Sequence, residues 1–344
     1  MSIVGGNNWE TDRRGSVLIT GDHGFVGRYV VEAVRPRVAW CAGLDRAGSK
    51  PPPGVDTHLE VDLADSASTR AAIARLVAER GAPAWVIHLA AQASVGASFE
   101  GPAATYRANV VGTASLLGAL AEICPGTRVL IPSSAHVYGP SGRTDGVLEE
   151  ANLLHPTDHY GLSKLVQEEM AGIFGETTDV QCLVTRAFNH IGPGQGLGFV
   201  VPDFAHRLAV LETAGGGVLR VGNLEARRDY LDVRDVAQAY LAVLERGSPG
   251  SVYNIASGVT WSVDELLALM LESIGVPITV ERDPALARPV DVPILVGDAS
   301  RLRALGWTPQ YDIRDTVRDT LDYWRRRTAE ERLTATSPTT EATP

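Results

Sequence analysis

Apolar and polar positions along the chain fall into two successive rhythms. From Ser16, short runs rich in aliphatic residues occupy 16–20, 38–44, 57–61, 84–90, 128–132 and 181–187. They alternate with longer stretches of helical period near 25–35, 66–80, 102–122 and 157–175. Short runs that are apolar on both faces belong to strands buried on both faces. Their alternation with helices predicts an α/β chain built on a doubly wound parallel sheet. After Ala187 the rhythm changes. Helical stretches near 200–213, 234–245, 262–275 and 312–326 are separated by short strands and Gly/Pro loops. This half predicts a smaller α/β lobe over the carboxyl edge of the sheet. The expected division is 15–187 for the main domain and 188–327 mainly for the lobe, with some later segments returning to the sheet. Residues 1–14 read as an extension. The polar, Pro/Thr-rich stretch 328–344 reads as a disordered tail.

Composition narrows the class. No run approaches the roughly 18 apolar residues that span a bilayer, and the first 15 residues lack the apolar core of a secretion signal. Acidic residues outnumber basic ones, 41 to 31, and no basic cluster stands out, which argues against a nucleic-acid surface. Cys41, Cys124 and Cys182 are scattered and odd in number. They suggest buried thiols in a reducing compartment, so a cytoplasmic location, with neither a disulfide frame nor a metal site.

The first candidate chemistry follows the first strand. In VLITGDHGFVG, Gly21, Gly24 and Gly27 lie between a strand and a helix whose first residues include Phe25 and Val26. Glycines in that context let the backbone turn tightly and approach a pyrophosphate at the helix N-terminus. Asp45 ends the second strand, where an acid accepts bonds from both ribose hydroxyls and repels a 2′-phosphate. That favours NAD(H), while the neighbouring Arg46 leaves room for NADP(H). Asp62 and Leu63 follow the third strand, near an expected adenine. Leu89, Ala90 and Ala91 follow the fourth, where small residues let a cofactor lie on the sheet edge.

The second candidate lies in TDHYGLSKLVQEEM. Tyr160 and Lys164 are four residues apart at the start of a helix, a spacing that alone means only that they are neighbours. Ser134, at the end of the fifth strand, changes the reading. A hydroxyl, a phenol and an ammonium beside a nicotinamide site form a carbonyl/alcohol redox unit, since hydride transfer at carbon requires proton transfer at oxygen. A free phenol has a pKa near 10. Lys164 and an oxidised nicotinamide are expected to lower it.

The glycine loop, Asp62, HLAA, Asn109 in YRANVVGT, SSAHVYG, the Y-x-x-x-K pair and TRAFNHIGPGQ together resemble the extended short-chain dehydrogenase/reductases over about residues 16–326. The resemblance implies a Rossmann domain with a nucleotide-sugar lobe. It implies Ser134, Tyr160 and Lys164 as the catalytic trio, with Lys164 also on the nicotinamide ribose. Asn109 would support the active-site helix and is counted with the cofactor residues. Ser94, His136, Asn189 and Val200 are the implied sugar-nucleotide contacts. Arg228 and Arg288 would be the fork-shaped donors for its diphosphate. The strings RAFNHIGPGQGLGFVVPDF, VGNLEARRDY and RPVDVPILVGD look most like GDP-4-keto-6-deoxy-mannose reductases and, more distantly, GDP-mannose dehydratases.

That likeness favours C4 reduction of a GDP-4-keto-6-deoxyhexose. Dehydratases of the family carry an acid and a base after the catalytic hydroxyl, where this chain has Ala135 and His136, and alanine cannot donate a proton. Asp45 and the S-A-x-V-Y-G string look more like 4-epimerases, the alternative reading. A non-catalytic NAD(H)-binding regulator would need the glycine loop but not the trio. The resemblance also implies a homodimer through the helices at 102–122 and 157–175.

Overall fold

A computed structural model describes residues 15–140, 147–286 and 294–336. The first half contains β1 (Gly15–Thr20), α1 (Phe25–Val34), β2 (Val38–Asp45), β3 (Thr57–Glu60), α2 (Ser66–Arg80) and β4 (Trp85–His88). It continues through α3 (Val95–Glu100), α4 (Pro102–Tyr106), α5 (Gly112–Ile123), β5 (Arg128–Ser134), α6 (His159–Thr177) and β6 (Gln181–Ala187). The second half contains β7 (Asn189–Ile191), α7 (Val200–Thr213), β8 (Gly217–Val221), β9 (Arg227–Asp232), α8 (Val233–Arg246) and β10 (Val252–Ile255). It ends with β11 (Thr260–Ser262), α9 (Val263–Leu271), β12 (Ile278–Arg282), β13 (Ile294–Leu295), α10 (Ser300–Ala304) and α11 (Ile313–Thr336).

Seven parallel strands form the central sheet in the order β10-β6-β5-β4-β1-β2-β3. The predicted doubly wound α/β architecture is therefore the observed one. Strand order reverses between β1 and β4, and the crevice outside the carboxyl ends at such a point is where doubly wound sheets bind ligands. One face of the sheet is covered by α1 and α8, which pack Val30, Val31 and Val34 with Val236, Tyr240 and Val243. The other face is covered by α2, α5 and α6, burying Ile73, Leu76, Leu116, Leu120 and Ala171. A third core holds the smaller lobe, joining Phe204 and Leu208 of α7, Leu266 and Met270 of α9, and Val317 and Leu321 of α11. In that lobe β9 pairs with β7, β11 and β13, while β12 pairs with β8.

Three local departures from the expected elements have physical causes. The helix expected at 102–122 is interrupted by a wide π-type turn at Arg107–Val111, which carries Asn109. The helix expected from 157 begins at His159, because the Asp158 side chain caps it by accepting from the Gly161 amide at 2.7 Å. The tail expected to be disordered from 328 is helical to Thr336. Trp324 and Thr328 are buried, and Arg327 pairs forward with Glu330 and Glu331, both at 3.6 Å. Residues 1–14 and 337–344 lie outside the described residues. Among the described residues no helix is long and apolar enough to cross a membrane.

Candidate active site

The site is built where the β1 and β4 loops meet. After Thr20 the chain turns at Gly21, which has φ +72° and whose amide donates to the Leu44 carbonyl at 2.8 Å. A Cβ at Gly21 would lie 2.8 Å from the Ala90 amide nitrogen, and one at Gly27 would collide with the Gly21 carbonyl oxygen. Both positions therefore exclude side chains. Gly24 opens α1 without any side-chain cap, so the amides of the first helical turn stay directed at the crevice. The turn fits a dinucleotide pyrophosphate on these grounds. Behind it, buried His88 bonds Thr20 at 2.8 Å through Nδ1 and Thr113 at 2.9 Å through Nε2. Burial pushes the His88 imidazole down to about 3, leaving a neutral bracing group.

Beside the turn lies a cluster that the motif pattern does not single out. Asp22 is fully buried, with Oδ2 3.4 Å from His58 Nδ1 on β3. Burial pushes the Asp22 carboxyl up, His58 opposes that, and nearby Asp45 adds to it. Gly43 on β2 makes the space, since a Cβ there would meet the Asp22 carboxylate. The signal was present in the string GDHG, where an acid follows the first glycine.

Ser134 ends β5, and Tyr160 lies in the first turn of α6. Both hydroxyls line the same cavity, and Ser134 Oγ accepts from the His136 amide at 3.2 Å. One turn further, buried Lys164 donates from Nζ to the Pro132 carbonyl at 2.9 Å. Its Nζ is 6.0 Å from the Tyr160 ring centroid. Burial pushes Lys164 down to about 8. Burial also pushes Tyr160 up to about 12, opposed by the neighbouring Ser134 hydroxyl. The expected lowering of the phenol is thus absent in the protein alone, because Lys164 directs its proton at a backbone carbonyl and desolvation dominates. At neutral pH Tyr160 is a phenol, the form a proton donor requires.

Asn109 is braced behind this wall. Its Oδ1 accepts from the Gln92 amide at 2.7 Å, and its Nδ2 donates to Gln92 O at 3.0 Å and to Ser163 Oγ at 2.8 Å. With 0% exposure it fastens the β4 loop to α6 and does not line the cavity.

A cavity of about 500 Å³ brings together most of the expected residues. Gly21, Gly24, Phe25, Val26, Gly27, Leu89 and Ala91 line the cofactor half. Ser94, Ser134, His136, Tyr160, Lys164, Asn189 and Val200 line the rest. Asp45, Asp62, Leu63 and Ala90 are not on this wall. Half-buried Asp45 is at the β2 carboxyl end, and exposed Asp62 is bonded by Arg107 at 2.9 Å. Leu63 and Ala90 pack into the core below α2 and α5. Arg228 is also off the cavity wall. It donates to the Arg227 carbonyl at 2.8 Å and sits two residues before Tyr230, whose phenol it influences electrostatically. Arg288 lies outside the described residues.

Several wall residues went unread in the sequence. Tyr230, paired in register with Asn189, lines the lobe side. His190 stacks on Phe25 with centroids 6.2 Å apart, and Tyr29 donates to the Pro193 carbonyl at 2.8 Å. These contacts join the glycine-turn helix to the loop that enters the lobe. Tyr230 was signalled only by its alternation with Arg228 along β9.

His136 follows Ser134 in the short turn after β5. Its Nδ1 is 2.9 Å from Asp158 Oδ2, and its ring centroid is 5.7 Å from that of Tyr160. Its side chain is 37% exposed, and it lines the cavity. Burial raises the Asp158 carboxyl, but the His136 bond and the Gly161 amide outweigh it and hold it below its ordinary value.

A doubly wound sheet with a glycine turn at its switch point, a Ser–Tyr–Lys set across the crevice and a small lobe above defines an extended short-chain dehydrogenase/reductase. Within that class the chain belongs to the family described as GDP-mannose 4,6 dehydratase, whose model matches residues 18–320. It is 38% identical over 252 residues to the GDP-6-deoxy-D-mannose reductase of Pseudomonas aeruginosa, covering 72% of this chain and 83% of that relative. The fold matches RMD from Pseudomonas aeruginosa, solved with NADPH, with a TM-score of 0.79 and 32% identity, covering 91% of this chain and 100% of the other. It also matches the UDP-glucose 4-epimerase of Thermus thermophilus, solved with NAD, with a TM-score of 0.78 and 30% identity, covering 90% and 98%.

Proposed function

We propose that the protein reduces the C4 ketone of an NDP-4-keto-6-deoxyhexose, GDP-4-keto-6-deoxy-mannose first among them, to a GDP-6-deoxyhexose, using NAD(P)H. The observation that carries the reaction type is the neutral Tyr160 phenol beside Ser134 in the cavity that the glycine turn enters. The substrate class is supported by the reductase name of the 38% identical relative. A reduced nicotinamide supplies the hydride when bound. The chain's own groups do the rest. The Gly21–Gly27 turn and the open end of α1 hold the pyrophosphate. Ser134 and Tyr160 hold the C4 oxygen, and Tyr160 gives it a proton as negative charge develops. Lys164 keeps two N–H donors beyond the one on Pro132, available to a ribose. On the lobe side, Asn189 and Tyr230 meet the sugar nucleotide. Ala135, at the position where the family's dehydratases carry an acid, has no proton to give a leaving hydroxyl, which supports reduction over water elimination.

A 4-epimerase is the second reading, favoured by Asp45 and by the likeness to an epimerase solved with NAD. An epimerase retains its cofactor, whereas a reductase exchanges it each turnover. Mass analysis of nucleotide released from denatured purified protein should find little NAD. Supplied GDP-4-keto-6-deoxy-mannose should consume NADH or NADPH one-for-one. Stoichiometric bound NAD with no net NAD(P)H consumption would overturn the reductase reading in favour of the epimerase.

A further inference from the structure

A fully buried carboxyl lies under the glycine turn without a hydrogen-bond donor of its own. Neither Asp22 oxygen has a hydrogen-bond partner among the described residues, and His58 Nδ1, 3.4 Å from Oδ2, has none either. Gly43, in register with His58 across β2 and β3, keeps the space for this carboxyl, since a Cβ there would collide with it. The other ring nitrogen of His58 leads outward. Its Nε2 is 3.2 Å from Ser49 Oγ, in the turn that follows β2. Ser49 Oγ gives its single proton to the Arg46 carbonyl at 2.8 Å, so toward His58 it can only accept. His58 therefore donates from Nε2 and keeps its Nδ1 side toward Asp22. The Arg46 peptide is held on its other side as well, its amide donating to Asp45 Oδ1 at 2.7 Å. The contacts thus run from Asp22 through His58, Ser49 and the Arg46 peptide to Asp45, at the carboxyl end of β2. A second tie joins the same two segments. His23, next to Asp22, donates from Nδ1 to the Lys50 carbonyl at 2.6 Å.

We propose that Asp22 and His58 are positioning residues for cofactor choice: through Ser49 and the Arg46 peptide they aim the Asp45 carboxylate at the adenosine ribose and so favour NADH over NADPH. The inference rests on the reading that Asp45 meets that ribose, and it adds the residues that hold Asp45 in place. The Arg46 amide occupies one Asp45 oxygen, so the other is the one presented to a ribose hydroxyl. A 2′-phosphate brought to that point meets a fixed negative charge. When Ser49 or His58 releases the Arg46 peptide, Asp45 is free to turn away. The exposed Arg46 and Lys50 side chains are then free to approach a 2′-phosphate. Asp22, His58 and Ser49 act only through Asp45 and take no part in the chemistry at the sugar.

The test measures the Kd of NADH and of NADPH by fluorescence titration of the full chain and follows their ratio across variants. Asp45→Asn should shift the ratio toward NADPH by about tenfold or more. Ser49→Ala removes the hydroxyl alone, and His58→Asn has a shorter amide that reaches Asp22 but not Ser49. Each should shift the ratio the same way by about threefold or more. His58→Gln, whose longer amide reaches Ser49, should shift it less than His58→Asn does. In the Asp45→Asn background, Ser49→Ala should change the ratio by less than about twofold, because both act through one carboxylate. GDP affinity, read by calorimetry on each variant, should be unchanged, and a ratio shift matched by loss of GDP binding would be a folding effect and count against the proposal. Should His58→Asn fold poorly, Ser49→Ala decides, since Ser49 lies in a surface turn. A smaller shift in Ser49→Ala, an equal shift in His58→Gln and His58→Asn, or the same Ser49→Ala effect with and without the Asp45 carboxylate overturns the proposal. A smaller shift in Asp45→Asn removes the ribose reading and leaves the relay nothing to aim, which overturns it as well. Consumption of NAD(P)H with GDP-4-keto-6-deoxy-mannose reports separately on the reductase reading, which stands or falls whichever way the ratio moves.

Discussion

At the scale of single residues, Tyr160 and Lys164 have opposite electrostatic fates from one cause. Burial favours the uncharged form of each, so the phenol is pushed up to about 12 and the ammonium down to about 8. Tyr160→Phe should therefore remove the proton donor and lower kcat for reduction by about 10²-fold or more, with NADH affinity little changed. A kcat within threefold of wild type would exclude Tyr160 from the chemistry. Lys164 fixes the pH dependence. A base whose folded value lies below its ordinary one is charged only below that value. The reduction rate should be level below pH 8 and fall as pH rises through it, while Tyr160 remains protonated throughout. A profile level to pH 10 would show that the Lys164 charge does not matter. Asp45 makes a third claim. If Asp45, at the carboxyl end of β2, meets the ribose, NADH should bind more tightly than NADPH. Competitive titration with both cofactors decides this, and a preference for NADPH would transfer control of the site to Arg46.

At the scale of elements, legibility tracked how local the determining physics was. The Rossmann strands and helices could be read because each carries its own period, and the glycine turn because strand, glycines and helix are contiguous. The π-type turn under Asn109 could not be read. Asn109 bonds Gln92 and Ser163, 17 and 54 residues away, and no local pattern encodes such a demand. Helix α11 outran its expected end because Thr328 finds a buried seat in tertiary packing, which composition does not report. The Asp22–His58 pair escaped for the same reason, joining residues far apart in the chain. Strand β9 illustrates how far a strand-level inference extends. Tyr230 lies on the cavity wall and Arg228, two residues earlier, points to the same side of the strand. If Arg228 meets the far end of a bound nucleotide diphosphate, Arg228→Ala should weaken GDP binding by roughly tenfold to a hundredfold, with NADH binding little altered. Isothermal calorimetry separates the two ligands, and unchanged GDP affinity would remove Arg228 from the substrate site.

At the scale of the whole molecule, the two halves of the chain are interleaved rather than consecutive. The central sheet receives β10 from residues 252–255 beside β6, and α8 from 233–246 covers the face shared with α1. The expected homodimer face on the 102–122 stretch and α6 carries exposed Val111, in the π-type turn before α5, with Leu162 and Ile173 on α6. That face belongs entirely to the first half, so the expected partner surface and the completion of the sheet come from different stretches of chain. The strand that closes the sheet has a consequence for how the protein is made. During translation β6 leaves the ribosome well ahead of β10, since one ends at Ala187 and the other starts at Val252. At about 5–20 residues per second, a nascent chain carries an unpaired, apolar strand edge for several seconds. A chain stopped at residue 187 preserves that condition permanently, and it should accumulate in the insoluble fraction while the full chain is soluble. Adding residues 188–260 should restore much of that solubility, although such a chain still lacks α9 and α11 and hence a complete small lobe. Equal solubility of the two shortened chains would show that the open edge at β6 is not the hazard. Nascent chains of this protein would then need no holding factor at the point where the first half has emerged and the second has not.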